Sequence, residues 1–325
     1  MKDAPGRNRT CDLSLRRRTL YPLSYGRSRR ISLTPVKVSA RAVELPLAQP
    51  FVIARTTHEV ATVIEVRVDH LGHAAFGEAA PIERYGETSD SALSWLSEVE
   101  LGDDPWALDE IERGLPPGEY AARAGLDAAL HDLQGKLTAL PVYRLLGLSP
   151  NGPPTSWTVW LGDPDDMARR AEKASARGFH RLKLKLGGRD GLDLARVAAV
   201  GSVASCPLQV DVNEAWSFDE AVELLAQMRI EYCEQPLPAG DPQAAELKRR
   251  SPVPIYLDED CHTLADVARC AQIGDGVTLK LAKSGGLREA LRMVHAARAL
   301  DLGVMLGCMV VGPWNSCRRA DREPV

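Results

Sequence analysis

Lys183, Lys185, Asp211, Glu234, Asp258 and Lys280 are residue types that could do chemistry together, and their spacing says that they do not fall at random. From Lys185 onward they follow at intervals of 26, 23, 24 and 22 residues, and each closes an apolar run of strand character: Leu182-Lys-Leu-Lys, Leu208-Gln-Val-Asp, Tyr232-Cys-Glu, Ile255-Tyr-Leu-Asp and Val277-Thr-Leu-Lys. A carboxylate after a strand commonly caps the next helix. Carboxylates on three consecutive strand ends, with lysines on both sides of them, exceed what capping requires. Three such groups suit a hard oxygen cage for Mg²⁺ that keeps positions open for a substrate carboxylate. A proton α to a carboxylate is very weakly acidic, and its removal builds negative charge that a divalent cation stabilises. The proton must go to a base whose pKa lies near neutrality. Lys183 and Lys185, at i and i+2, share one strand face, so each ammonium opposes protonation of the other. Lys280, several strands further on, would reach the opposite side of the reacting carbon. Removal on one side and return on the other inverts the centre.

These side chains need a scaffold that brings strand ends together. After Thr155 the chain alternates strand signals with helical ones, from Ser156-Trp-Thr-Val-Trp and a helix over Asp163 to Arg177, through Ser217 to Met228, to Val304-Met-Leu-Gly. Seven such strands predict an α/β chain with a (β/α) barrel, whose active sites lie at the C-terminal strand ends. No GxGxxG or GxxxxGK[ST] follows any strand, which disfavours dinucleotide and P-loop chemistry. Barrel strands are covered outside and packed inside, so two lysines within one strand are costly unless function uses them. Lys283, in Leu279-Lys-Leu-Ala-Lys-Ser-Gly-Gly, reads as a surface-loop lysine beyond the strand that holds Lys280. Asn213 and Glu259 adjoin the carboxylates and read as supports for them. Cys261 and His262 have no recognisable oxyanion loop nearby and read as core or wall residues.

Ahead of the barrel, Val38 to Val68 alternates as strands, and His70-Leu-Gly-His separates these from Ala74-Ala-Phe-Gly. Helices are predicted over Ser91 to Leu101 and Ala121 to Leu137, the latter with a small-residue face at Ala122, Gly125, Ala129 and Leu133. Ser149-Pro-Asn-Gly-Pro-Pro154 is a linker. This divides the chain into an α+β domain over 36–150 and a barrel domain over 151–310.

Composition closes off other function classes. Of 325 residues 45% are hydrophobic, enough to bury a core, and the longest mostly apolar uncharged stretch, Leu302 to Trp314, is too short for a membrane span. The seven cysteines are odd in number and contain no CxxC, which predicts reduced thiols in a cytoplasm. The net charge of −4 hides a basic arm: residues 1–36 hold nine Lys/Arg against Asp3 and Asp12, leaving −11 on the rest. An acidic body opposes nucleic-acid binding. Gly6 to Gly26 resembles a translated transfer-RNA gene, so residues 1–35 read as an extension outside the functional chain. A small molecule, with no nucleic acid and no membrane, is the expected partner; a homo-oligomer stays open.

Taken together, Lys183-Leu-Lys185, Asp211-Val-Asn-Glu-Ala-Trp216, Glu234-Gln-Pro-Leu237, Asp258-Glu-Asp-Cys-His-Thr263 and Lys280-Leu-Ala-Lys-Ser-Gly-Gly286 resemble the muconate-lactonising branch of the enolase superfamily. Within it they look most like dipeptide epimerases acting on L-Ala-D/L-Glu. The resemblance implies an isomerase with a capping domain before a modified barrel, Mg²⁺ on Asp211, Glu234 and Asp258, and bases Lys185 and Lys280, with Lys183 tuning Lys185. Pro50-Phe-Val-Ile-Ala-Arg55 and Phe76 to Gly86 resemble the two loops that close over substrate. Arg55 is the expected grip on a distal carboxylate, with His58 as a neighbouring alternative. Leu306-Gly-Cys-Met309 resembles the seventh-strand tip. A muconate-type cycloisomerase or an N-acylamino-acid racemase would use the same metal and lysines. Where the epimerases carry an eighth-strand Asp-x-Asp, residues 311–325 show a non-family tail with no readable strand. That predicts a barrel truncated after its seventh strand, with uncovered edges, and makes an inactive truncated gene product the alternative to an enzyme.

Overall fold

A computed structural model describes residues 34–54, 56–309 and 312 of the chain. The unit that begins at Pro35 holds two hydrophobic cores, one built from residues between Val36 and Leu137 and one from residues between Trp157 and Val304.

The first core lies under a three-stranded antiparallel sheet in the order β1 (Lys37–Ile53), β2 (Thr56–His70), β3 (His73–Ala79). Alternation along β2 turns Ile64, Val66 and Val68 into the core, while Arg41 and Glu65 pair across the other face at 2.8 Å. Leu71 and Gly72 both take positive φ, as a two-residue hairpin turn requires. The family resemblance puts Pro50 to Arg55 in a loop. Instead β1 continues to Ile53, pairing Phe51 with His58 and Ile53 with Thr56 after a register shift between Pro46 and Phe51. Pro46 and Pro50 have no N–H to give the ladder, and the irregularity falls in that stretch.

The helix Tyr120–Thr138 packs on this sheet through Ala122, Gly125, Ala129 and Leu133, the small face that the sequence predicts. It starts where the Glu87 carboxylate accepts from the N–H groups of Tyr120 (2.5 Å) and Ala121 (3.2 Å), a negative charge against the helix N-terminus. Its backbone nearly touches β3: a Cβ on Gly77 would lie 2.0 Å from Gly125 O and 2.8 Å from Ala129 N. The helix predicted over Ser91 to Leu101 spans Ser89–Ser97.

The second core belongs to a seven-stranded parallel sheet with helices between successive strands: β4 (Trp157–Val159), β5 (Leu182–Lys185), β6 (Leu208–Asp211), β7 (Tyr232–Glu234), β8 (Ile255–Leu257), β9 (Gly276–Leu279) and β10 (Gly303–Leu306). Neighbours follow chain order from β4 to β10, as in a (β/α) barrel, and among the described residues each end strand has one neighbour. Leu184, Val210, Cys233 and Ile255 are register partners and face the helices; Lys185, Asp211, Glu234, Tyr256, Gly276 and Gly303 are register partners on the inner face. Tyr256 stacks on Tyr232 at 4.1 Å between ring centroids. The two glycines make room for it, since a Cβ on Gly303 would stand 2.0 Å from Tyr256 Oη and one on Gly276 2.5 Å from the ring.

The expected extension before residue 34 lies outside the described residues. So does the tail over 311–325, apart from Gly312, whose N–H donates to Glu78 Oε1 at 2.7 Å. Among the described residues no helix is long and apolar enough to cross a membrane.

The helix–sheet approach gives a direct test. Gly77→Ala places a methyl on backbone that cannot move aside, and should destabilise the chain by about 1–3 kcal/mol in urea denaturation. Gly114→Ala, with open space around the added methyl, should change stability by less than about 1 kcal/mol and in the stabilising direction. Equal effects of the two would contradict the packing described.

Candidate active site

The inner-face register brings the predicted residues to one end of the sheet. Lys185, Asp211 and Glu234 are consecutive partners across β5, β6 and β7. Asp258 follows the last residue of β8, and Lys280 follows β9 as the residue before the short helix Leu281–Ser284. The sequence reading placed Lys280 within its strand; the strand ends one residue earlier.

Asp211, Glu234 and Asp258 have no exposed surface, and each is met by an ammonium. Lys183 Nζ sits 2.7 Å from each Glu234 oxygen and 3.0 Å from Asp211 Oδ2. Lys185 Nζ donates to Asp211 Oδ2 at 2.6 Å and to Asn213 Oδ1 at 3.0 Å. Lys280 Nζ donates to Asp258 Oδ2 at 2.5 Å. Lys283 was expected on a surface loop, and this is corrected: it is 1% exposed, and its ammonium donates to Asp258 Oδ1 (2.7 Å), Asp258 O (2.6 Å) and Thr278 O (3.1 Å). The segment after Lys280 is a turn of helix rather than a loop, so residue 283 returns to the side from which residue 280 points. All three ammonium hydrogens of Lys283 are thereby used, which leaves none for a substrate.

Burial and neighbouring charge set the protonation states in opposite directions. Burial, reinforced by the Lys183 and Lys280 ammoniums, lowers the pKa of Lys185 against the pull of Asp211. Burial would lower Lys183 and Lys280 too, but Asp211 and Glu234 hold Lys183 well above its ordinary value, and Asp258 and Glu234 do so for Lys280. Burial would raise Asp211 and Asp258, yet the surrounding lysines keep both far below the carboxylate range. Glu234 is pushed up to about 7, first by burial and then by the Asp211 carboxylate.

The three carboxylates expected to form an oxygen cage do not converge on a common point in this structure. Among the described residues no three His, Cys, Asp or Glu side chains converge as a metal cluster; the carboxylates are turned onto lysines instead. The donor set nevertheless fits a hard divalent cation. It is all carboxylate oxygen on adjacent strand ends, and Glu234 Oε2 is buried and accepts no hydrogen bond despite its contact with Lys183.

Of the residues read as supports, Asn213 holds a positive φ of 49° and donates its N–H to Asp211 Oδ1 at 3.1 Å, while Glu259 is buried and close enough to act on the charge of Lys280. Cys261 is fully buried, and the His262 ring packs against Tyr85 and Tyr120 at 4.9 and 4.6 Å, so both are core or wall residues as expected. Arg55 lies outside the described residues. A contact that the sequence reading missed ties the 76–86 segment to the sheet: Arg84 grips Glu214 with two hydrogen bonds, at 2.7 and 3.1 Å. Residues 130 apart in sequence carry no local signal for such a pair.

Residues 35–147 match the family model described as mandelate racemase/muconate lactonizing enzyme, N-terminal domain, and residues 166–320 match the model described as enolase C-terminal domain-like. An L-Ala-D/L-Glu epimerase of Bacteroides thetaiotaomicron is 34% identical over 84% of this chain and 74% of its own length. A hydrophobic dipeptide epimerase of Roseobacter litoralis is 37% identical over 84% and 83%. Among solved structures, a dipeptide epimerase from Enterococcus faecalis complexed with Mg and L-Leu-L-Tyr superposes with a TM-score of 0.80 at 30% identity, covering 85% of this chain and 82% of that one. The L-Ala-D/L-Glu epimerase from Bacillus subtilis, in a substrate-liganded complex, gives 0.82 at 28% identity over 86% and 84%. With that sheet order, that set of buried strand-end residues and these relatives, the chain belongs to the dipeptide epimerases of the muconate-lactonizing branch of the enolase superfamily.

Proposed function

We propose that this chain is an isomerase that epimerises a dipeptide at the carbon α to its carboxylate. The observation that carries the reading is the placement of Lys185 and Lys280 four strands apart, with three buried carboxylates on the strands between them. Asp211, Glu234 and Asp258 are the side chains to hold Mg²⁺. When bound, the cation would offset the negative charge that grows on the substrate carboxylate as the α-proton leaves. Lys185, with its lowered pKa, takes the proton on one side. Lys280, held as an ammonium, delivers one on the other side, and the roles exchange for the opposite enantiomer. Lys183 adds its charge to the effect of burial in lowering the pKa of Lys185, and stays paired with Glu234. The substrate is a small molecule, and we place the reaction in the cytoplasm.

The solved relatives carry different dipeptides, L-Leu-L-Tyr in one and D-Ala-L-Val in another, and the named relatives include an L-Ala-D/L-Glu epimerase and a hydrophobic dipeptide epimerase. We favour L-Ala-L-Glu, with Arg55 as the grip on the distal carboxylate. A second reading has support of its own: a muconate lactonizing enzyme from Pseudomonas fluorescens gives a TM-score of 0.82 at 28% identity. An N-acylamino-acid racemase would use the same lysines.

With Mg²⁺ present, L-Ala-L-Glu should yield L-Ala-D-Glu, followed by NMR, and EDTA should stop the reaction until Mg²⁺ is restored. Turnover of a muconate with no change in any dipeptide would reverse the choice. Lys185→Ala and Lys280→Ala should each lower the epimerisation rate by about 10²–10⁴-fold; full activity of Lys280→Ala alongside an inactive Lys283→Ala would mean that the second base is misassigned. Arg55→Ala should raise KM for L-Ala-L-Glu far more than for L-Ala-L-Leu, and an equal rise for both would dismiss Arg55 as the carboxylate grip.

A further inference from the structure

Gln235 follows Glu234 directly, is 1% exposed, and holds its backbone at φ +39°, in the left-handed region that residues other than glycine enter at a cost. Two backbone bonds keep it there: its N–H donates to Tyr256 O, and its carbonyl accepts from the Glu214 N–H, both at 2.9 Å. The side-chain amide is thereby aimed at the turn that follows β8. Oε1 accepts from the N–H of Asp258 (2.9 Å) and of Asp260 (3.3 Å), while Nε2 donates to Asp260 Oδ2 and to Leu237 O, both at 2.9 Å. Both donor hydrogens and both acceptor positions of the amide are filled. Nothing remains for a substrate. Asp260 is held in turn, accepting from the Gly240 N–H at 3.0 Å and from Arg269 Nη1 at 2.9 Å. Lys283 grips Asp258 by its carbonyl and Oδ1 at the same time.

We propose that Gln235 is a positioning residue that sets the chain's affinity for its divalent cation, by fixing the backbone from which the Asp258 carboxylate projects. The inference rests on the reading of Asp258 as a metal ligand. A ligand whose backbone is already fixed loses little freedom on binding, and outer hydrogen bonds of this kind typically change metal affinity by about 10–100-fold. Gln235→Glu keeps the size and the accepting Oε1 but replaces the Nε2 donor with a second oxygen and sets a carboxylate against Asp260. Gln235→Met keeps the volume and loses every bond.

The experiment titrates the full chain with Mn²⁺ as the probe, following free ion by electron paramagnetic resonance, alongside thermal melts without metal. Both variants should raise the Mn²⁺ Kd by about 10–100-fold, and raised Mg²⁺ should restore kcat, whereas a purely structural role would lower the melting temperature and leave the Kd of the folded chain unchanged. Variants that bind within twofold of wild type overturn the role of Gln235. A wild-type chain that binds no Mn²⁺ overturns the metal reading itself. If neither Gln235 variant folds, Asp260→Asn decides from the other end of the same bond: weaker Mn²⁺ binding supports the role, and unchanged binding overturns it.

Discussion

Three carboxylates without any contact with water have to be neutralised inside the sheet, and the architecture around them follows from that need. Removing one member of a buried ion pair leaves an uncompensated charge and costs on the order of 3–5 kcal/mol. Asp211, Glu234 and Asp258 avoid this by pairing with the ammoniums of Lys183, Lys280 and Lys283, with the Lys185 Nζ as a further hydrogen-bond donor to Asp211. The pairing depends on register. Lys185, Asp211 and Glu234 meet because they are partners across three parallel strands, and a slip of one residue in any of them would turn its charge into the layer of helices.

The same register organises what lies around the charges. One ladder that includes Lys185 and Glu234 continues through Tyr256 to Gly276 and Gly303, so the glycines that admit the Tyr256 ring and the charges that make the site are set by a single alignment. From the antiparallel sheet side, Arg84 reaches Glu214, which also accepts the Ala239 N–H at 2.9 Å, and Tyr85 lies on His262. Of the segment that the sequence reads as a loop over 76–86, residues 76–79 belong to β3, and the part beyond Ala79 is anchored through Arg84 and Tyr85 to the two turns that follow the strands of Asp211 and Asp258. A loop held at those points can exclude water from a proton-transfer site, which strengthens every interaction inside it.

Much of this is legible in the sequence because it is periodic. The intervals of 22 to 26 residues from Lys185 to Lys280 are the barrel's own repeat, and the alternation in Leu182-Lys-Leu-Lys already separates the inner face from the outer. The small face of Tyr120–Thr138 is readable for the same reason. What is not periodic was missed. Lys283 falls three residues after Lys280, a spacing that means opposite things in a loop and in a helical turn, and only the turn buries it. The carboxylates look like a cage from their strand ends, yet each accepts from a lysine ammonium or amine, which strand spacing alone does not show. Gln235 is invisible as a hub because its importance comes from a positive φ and from partners 23 and 25 residues away.

Two lysines on opposite sides of one carbon exchange its proton in this reading, and the fate of the label at early times separates them from a single base. L-Ala-L-Glu and L-Ala-D-Glu are incubated separately in D₂O with the chain and Mg²⁺, and deuterium at the Glu α-carbon is read in substrate and product before about a tenth of the material has turned over. Two separate bases predict that the product carries solvent deuterium from the first turnover in both directions, with the recovered substrate less labelled. Product that retains the substrate's own hydrogen in both directions would mean that one base serves both sides and that Lys185 and Lys280 do not divide the two faces.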